Sequence, residues 1–130
     1  MKFLEKDFSL ELKEKIIKIE VTLKNSVNRL FGEYKTALAK KGLKLNVDFE
    51  IVGDDHFHSE YVSSISVGVM DKDGELIDLH LIKIWECERY FLGIPVSKGI
   101  PGSKLVGELL DESVEDIQLE LKEYLEEHLS

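Results

Sequence analysis

Residues 43–51, Leu43-Lys44-Leu45-Asn46-Val47-Asp48-Phe49-Glu50-Ile51, alternate apolar and polar side chains without a break. A period of two sets Leu43, Leu45, Val47, Phe49 and Ile51 on one face and Lys44, Asn46, Asp48 and Glu50 on the other, the pattern of a strand with one wet side. Immediately upstream the period is different. From Leu12, the residues Ile16, Ile19, Leu23, Val27, Leu30, Tyr34 and Leu38 recur every three or four positions, which lines one face of a helix. Asp7 or Ser9 suits its start, where a side-chain oxygen accepts from free backbone N–H groups. Lys40-Lys41-Gly42 suits its end, with cations at the negative pole and a glycine free to take positive φ. Ile17, Val21 and Phe31 widen the stripe, as expected of a helix that covers a sheet; the competing use is a helix of a second copy, giving a homodimer through the N-terminal helix.

Downstream, Gly53 to Glu60 reads as a polar loop. A second strand follows over Tyr61 to Met70, with Tyr61, Ile65, Val67 and Val69 apolar on one face and Ser64, Ser66 and Gly68 on the other. Asp71-Lys72-Asp73-Gly74 is a hairpin turn, since Asp-Gly accepts the positive φ that tight turns need. The third strand is expected from Glu75 to about Cys87, with Ile77, Leu79, Leu81 and Trp85 in phase on one face and Asp78, His80, Glu86 and Glu88 on the other. Lys83 breaks the apolar face, which calls for a bulge or strand end to carry it outward. Tyr90 to Val96 reads as an optional fourth strand and Ser103 to Leu110 as one or two helical turns. The last helix begins near Ser113 and presents Val114, Ile117, Leu121, Leu125 and His128 along one side. The expected fold is therefore a single α+β domain over residues 1–130: a long N-terminal helix, an antiparallel meander of three or four strands, and a C-terminal helix packed with the first on one sheet face.

At 130 residues and 43% hydrophobic, the chain suits one compact core. Its single cysteine, Cys87, has no partner for a disulfide or a Cys-based zinc site, and this points to a reducing compartment. The first residues lack the apolar run of a signal peptide, and no stretch approaches the roughly 18 apolar residues of a membrane span. A cytoplasmic protein without a membrane partner is the expectation. The formal net charge of −9 disfavours nucleic acid, because affinity for phosphates comes largely from Lys and Arg. Residues 1–42 carry ten Lys or Arg against six Asp or Glu, a balance of +4; residues 43–130 carry seven against twenty, a balance of −13. A field of one sign steers oppositely charged partners, so the expected partner is a basic protein.

Chemistry is harder to assemble from these residues. His56 and His58 fall on one side of an extended segment near Asp54, Asp55 and Glu60, but no zinc-binding helix, cysteine cluster or diagnostic ligand spacing accompanies them, and no metal or other cofactor is implied. Asp78 and His80 lie two apart on one strand face, beside Asp48 and Glu50 if the first strand pairs nearby, yet no nucleophile elbow or oxyanion loop joins them. Asp71-Lys72-Asp73-Gly74 lacks the Glu that closes a calcium loop, and Gly93, Gly99 and Gly102 do not have the spacing of a phosphate-binding loop. No catalytic residue is assigned.

The functional expectation is therefore a binding domain that is not an enzyme. Asp48, Glu50, Asp78, His80, Glu86 and Glu88 form its acidic sheet face, and Tyr90 or Phe91 supplies an apolar contact. The size, charge and helix–meander–helix outline look similar to the broad class of small bacterial immunity proteins, and that resemblance implies an inhibitor that neutralises a basic partner such as a toxin nuclease. Two alternatives are a dimeric chaperone or adaptor of the secretion type, using the long helix, and a metal-dependent enzyme using the His56/His58 region.

Overall fold

The computed structural model describes residues 1–130 and has an α+β fold of two helices and a six-stranded antiparallel sheet. In chain order the elements are β1 (Lys2–Leu4), a 3-10 turn (Glu5–Asp7), α1 (Leu10–Ala39), β2 (Lys44–Val52), β3 (Tyr61–Met70), β4 (Leu76–Phe91), β5 (Ile94–Pro95), β6 (Lys104–Leu109) and α2 (Val114–Leu129). The sheet order is β1-β6-β4-β3-β2, and β5 pairs with β4. Both helix boundaries expected of α1 are present. Ser9 Oγ accepts the Leu12 N–H at 3.1 Å, and Gly42 takes φ +76° just past the last turn. Neither helix is long and apolar enough to cross a membrane.

The sheet is larger than a meander of three or four strands. Residues 103–110 hold β6, not helical turns. Leu105, Gly107 and Leu109 are its buried positions, and the middle one has no side chain to mark the alternation. A Cβ at Gly107 would fall inside the indole of Trp85, so the tryptophan occupies the space that an apolar β6 side chain would otherwise fill. Tyr90 to Val96 is not a separate strand either. β4 continues to Phe91, Leu92 and Gly93 turn with φ +52° and +79°, and only Ile94 and Pro95 return against Phe91 and Tyr90.

The chain gathers into two compact units, and α1, β2, β3 and β4 each contribute residues to both. The first comprises Met1–Glu20, Glu50–Ser64 and Lys83–Asp111. Its core is Leu12, Ile16, Tyr61, Trp85, Cys87, Leu105 and Leu109, with Phe3, Phe8, Ile19 and Phe57 packed against it. Trp85 is the hub: the rings of Phe3, Phe8 and Phe57 lie 6.1, 6.0 and 6.2 Å from it, and its Nε1–H donates to the His56 carbonyl at 2.7 Å.

The second unit comprises Val21–Phe49, Ile65–Ile82 and Glu112–Ser130. Leu23, Val27, Tyr34 and Leu38 of α1, Ile117, Leu121 and Leu125 of α2, and Ile65, Val67 and Val69 of β3 are buried in it. Ser113 caps α2 as expected, accepting the Asp116 N–H at 3.1 Å. The helices are tied together by the Tyr34 hydroxyl on Glu126 at 2.9 Å, by Gln118 on Ser26 and by Lys41 on the Leu129 carbonyl.

β4 does not keep one phase. Ile82 and Ile84 are buried, and so are Trp85 and Cys87; two adjacent buried residues mean that the strand slips by one position at Ile84-Trp85. The slip leaves Lys83 exposed, bonded to Glu86 at 2.9 Å, as the broken pattern required. It also overturns the expected single face. Ile77, Leu79 and Leu81 are 51, 52 and 62% exposed, while Asp78 and His80 turn toward α2.

Candidate functional site

In the first unit, Trp85 and Cys87 point into the core, so the alternation of β4 turns Glu86, Glu88 and Tyr90 away from it. The neighbouring strands place matching residues beside them. Glu86 lies directly opposite Glu108, which lies opposite Lys2; Glu88 lies opposite Val106, which lies opposite Leu4; Tyr90 lies opposite Lys104. These side chains line an open cup of about 410 Å³, with Gly93 at its rim. Leu4 and Val106 are its aliphatic lining, and Glu86, Glu88 and Glu108 give it three carboxylates against the one ammonium of Lys2.

Carboxylates outnumber cations in the cup, three to the one of Lys2. Like charges placed directly opposite across a strand pair repel, and Glu86 and Glu108 hold that relation. Lys83 ion-pairs with Glu86, which raises the lysine pKa above its usual value. Tyr90 donates its hydroxyl to Glu88 at 3.0 Å, and this bond, with burial and the charge of Glu88 behind it, raises the phenol pKa. A bonded Tyr90 fixes one carboxylate in place beside an aromatic ring. The arrangement can hold a guanidinium or ammonium group by charge-assisted hydrogen bonds while its alkyl stem lies on Leu4 and Val106.

The remaining expected site residues lie elsewhere. Asp78 and His80 belong to the second unit, where His128 Nε2 is 3.3 Å from Asp78, Glu120 is 3.4 Å from His80 Nε2, and the His80 ring lies 5.0 Å from that of Tyr124. Burial, then the Asp78 charge, pushes Tyr124 up to about 12. These residues fasten α2 to β4, so they do not share an outward face with Glu86 and Glu88 as the uniform alternation had implied. Asp48, in the second unit, and Glu50, in the first, are exposed side chains of β2.

The two loop histidines take separate partners. His56 Nε2 donates to Glu20 at 2.7 Å and contacts the Tyr61 hydroxyl at 3.0 Å, while that hydroxyl donates to the other Glu20 oxygen at 2.8 Å. His58 Nδ1 meets the Ser59 carbonyl instead. No group of three or more His, Cys, Asp or Glu side chains converges in a way that could hold a metal ion. Glu20, only 4% exposed, is the feature the sequence reading missed. Its signal was a carboxylate set into the apolar stripe of α1 between Ile16 and Leu23. Burial, with the Glu20 hydrogen bond and charge, raises the Tyr61 pKa, and burial also lifts the thiol of Cys87 to about 11. Cys87 is thus an inert core side chain.

Compared with protein-family models, with curated proteins and with solved structures, the chain matches none.

Proposed function

We propose that the protein is a cytoplasmic, non-catalytic binding domain that takes a Lys or Arg side chain of a basic protein into the cup formed by Glu86, Glu88, Glu108 and Tyr90. The observation that carries this reading is the direct opposition of Glu86 and Glu108 across β4 and β6. Lys83 on Glu86 and Lys2 opposite Glu108 offset part of the repulsion, and a bound cation adds a further counter-charge to the three carboxylates. The −13 balance of residues 43–130 agrees with a basic partner and speeds its approach. An inhibitor or immunity protein acting on a toxin nuclease is the specific form of this function that the acidity and size support.

Affinity capture from the native cell at graded salt tests it. Wild-type protein should retain a basic protein that is released as salt screens the pairing. A Glu86→Gln/Glu88→Gln/Glu108→Gln variant with an unchanged melting curve should retain about tenfold less or lower, given two or more lost charge pairs. Equal retention by the variant would remove the cup from the account.

One observation favours a second reading. Leu76 and Leu79 flank Gly68 and are 57 and 52% exposed, which suits the apolar client surface of a chaperone or adaptor. Under that reading, Leu79→Ser abolishes capture and the glutamine variant does not.

A further inference from the structure

β2 ends the sheet, with β3 on one side and an open edge on the other. The edge is nine residues long and carries no proline and no positive-φ residue. β1, at the far end of the order, has three residues. Long, regular edges offer a row of free N–H and C=O groups to another strand, and they are usually blunted by brevity, proline, charge or a bulge. β2 is neither short nor interrupted by proline, and its exposed charges, Lys44, Asp48 and Glu50, are of both signs.

We infer that β2 is a homodimerisation edge: a second copy adds its own β2 antiparallel, about a two-fold axis through Val47, and the sheet continues from one copy into the other. The register follows from the side chains. An antiparallel pair related by two-fold symmetry, with both helical layers on the same side, sets residues of equal parity opposite one another, so the axis falls on a residue. Centred on Val47, Lys44 meets the partner's Glu50 and Glu50 meets the partner's Lys44, giving two ion pairs between exposed side chains on the wet face. Asn46 meets the partner's Asp48 on that same face. On the other face, Leu45 meets the partner's Phe49 and Val47 meets its own equivalent, an apolar row of the kind that stabilises cross-strand pairs.

The neighbouring registers are worse. Centring on Asn46 sets Lys44 against the partner's Asp48 but pairs only residues 44–48. Centring on Asp48 sets that carboxylate against its own copy and Glu50 against Asn46, with no cation facing either. Charge complementarity thus points to a second copy, and of the two registers that set Lys44 against a carboxylate the one centred on Val47 aligns the longer stretch; this surface is separate from the cup.

Sedimentation equilibrium across a concentration series tests the inference, using wild type, Lys44→Glu and Glu50→Lys. Both changes are on exposed side chains, and thermal melts verify that each variant folds. Wild type should dimerise, and each variant alone should dimerise about tenfold more weakly or worse, because two attractive pairs become repulsive in each. An equimolar mixture of the two variants should recover the wild-type constant, since every 44–50 pair is then of opposite sign. A wild-type monomer up to about a millimolar, a dimer indifferent to both changes, or a mixture that fails to recover would each overturn the inference.

Discussion

Gly107 shows how one missing side chain organises a core. Its position opposite Cys87 is a buried one, and the six-membered edge of the Trp85 indole lies where its Cβ would be. The tryptophan cannot retreat, because Phe3, Phe8 and Phe57 surround it and its N–H is held by the His56 carbonyl. Gly107→Ala should therefore destabilise the fold by about 3 kcal/mol, the upper end of overpacking effects. Chemical denaturation monitored by Trp85 emission measures this, and a loss below about 1 kcal/mol would show that the indole can shift. The same glycine hid β6 from the sequence, since an alternation needs an apolar side chain at each inward position to be seen. Glu20 was equally illegible for the opposite reason: its partners, His56 and Tyr61, lie 36 and 41 residues away. A carboxylate in an apolar stripe announces that something pairs with it but does not say what.

At the scale of elements, local chemistry was readable and long-range pairing was not. Ser9, Gly42 and Ser113 act at the helix ends as their types dictate, because capping depends on a few adjacent residues. Glu86 and Glu88 were legible as one row from their spacing, whereas Tyr90, expected on a separate strand, continues that row because β4 runs on to Phe91. Lys2 and Glu108, which complete the cup, come from strands that the pattern did not reveal. Asp78 and His80 were assigned to the wrong surface because a strand that slips by one residue reverses every side chain on one side of the slip.

The link between α1 and α2 gives a pH-dependent test at this same scale. Tyr34 donates to Glu126, and burial, followed by that carboxylate, pushes its pKa from 10.0 to about 12. A folded-state pKa above the unfolded one means that the neutral phenol stabilises the fold fully below pH 10, and that this contribution is lost as pH rises through about 12. Tyr34→Phe should cost about 1 kcal/mol at pH 8, and the gap between variant and wild type should close toward pH 12. Urea denaturation at the two pH values measures it. A gap that stays constant would separate the hydroxyl from the link.

At the scale of the molecule, a positive first segment and a negative remainder meet a cup in which Glu86 and Glu108 face each other, with Lys83 paired to the first and Lys2 opposite the second. The segregation of charge was plain in composition. The cup was not, because a site made by cross-strand register exists only once β1, β6 and β4 are aligned.

The most direct measurement is a titration of isotope-labelled protein with a short Lys- and Arg-rich peptide at low salt, followed by backbone amide shifts. Shifts should concentrate at Glu86, Glu88, Tyr90, Val106 and Glu108 and fade in a Glu86→Gln/Glu108→Gln variant. Shifts spread evenly along the acidic positions of α2, such as Glu115, Glu123 and Glu127, or unchanged in the variant, would contradict the cup as the binding site.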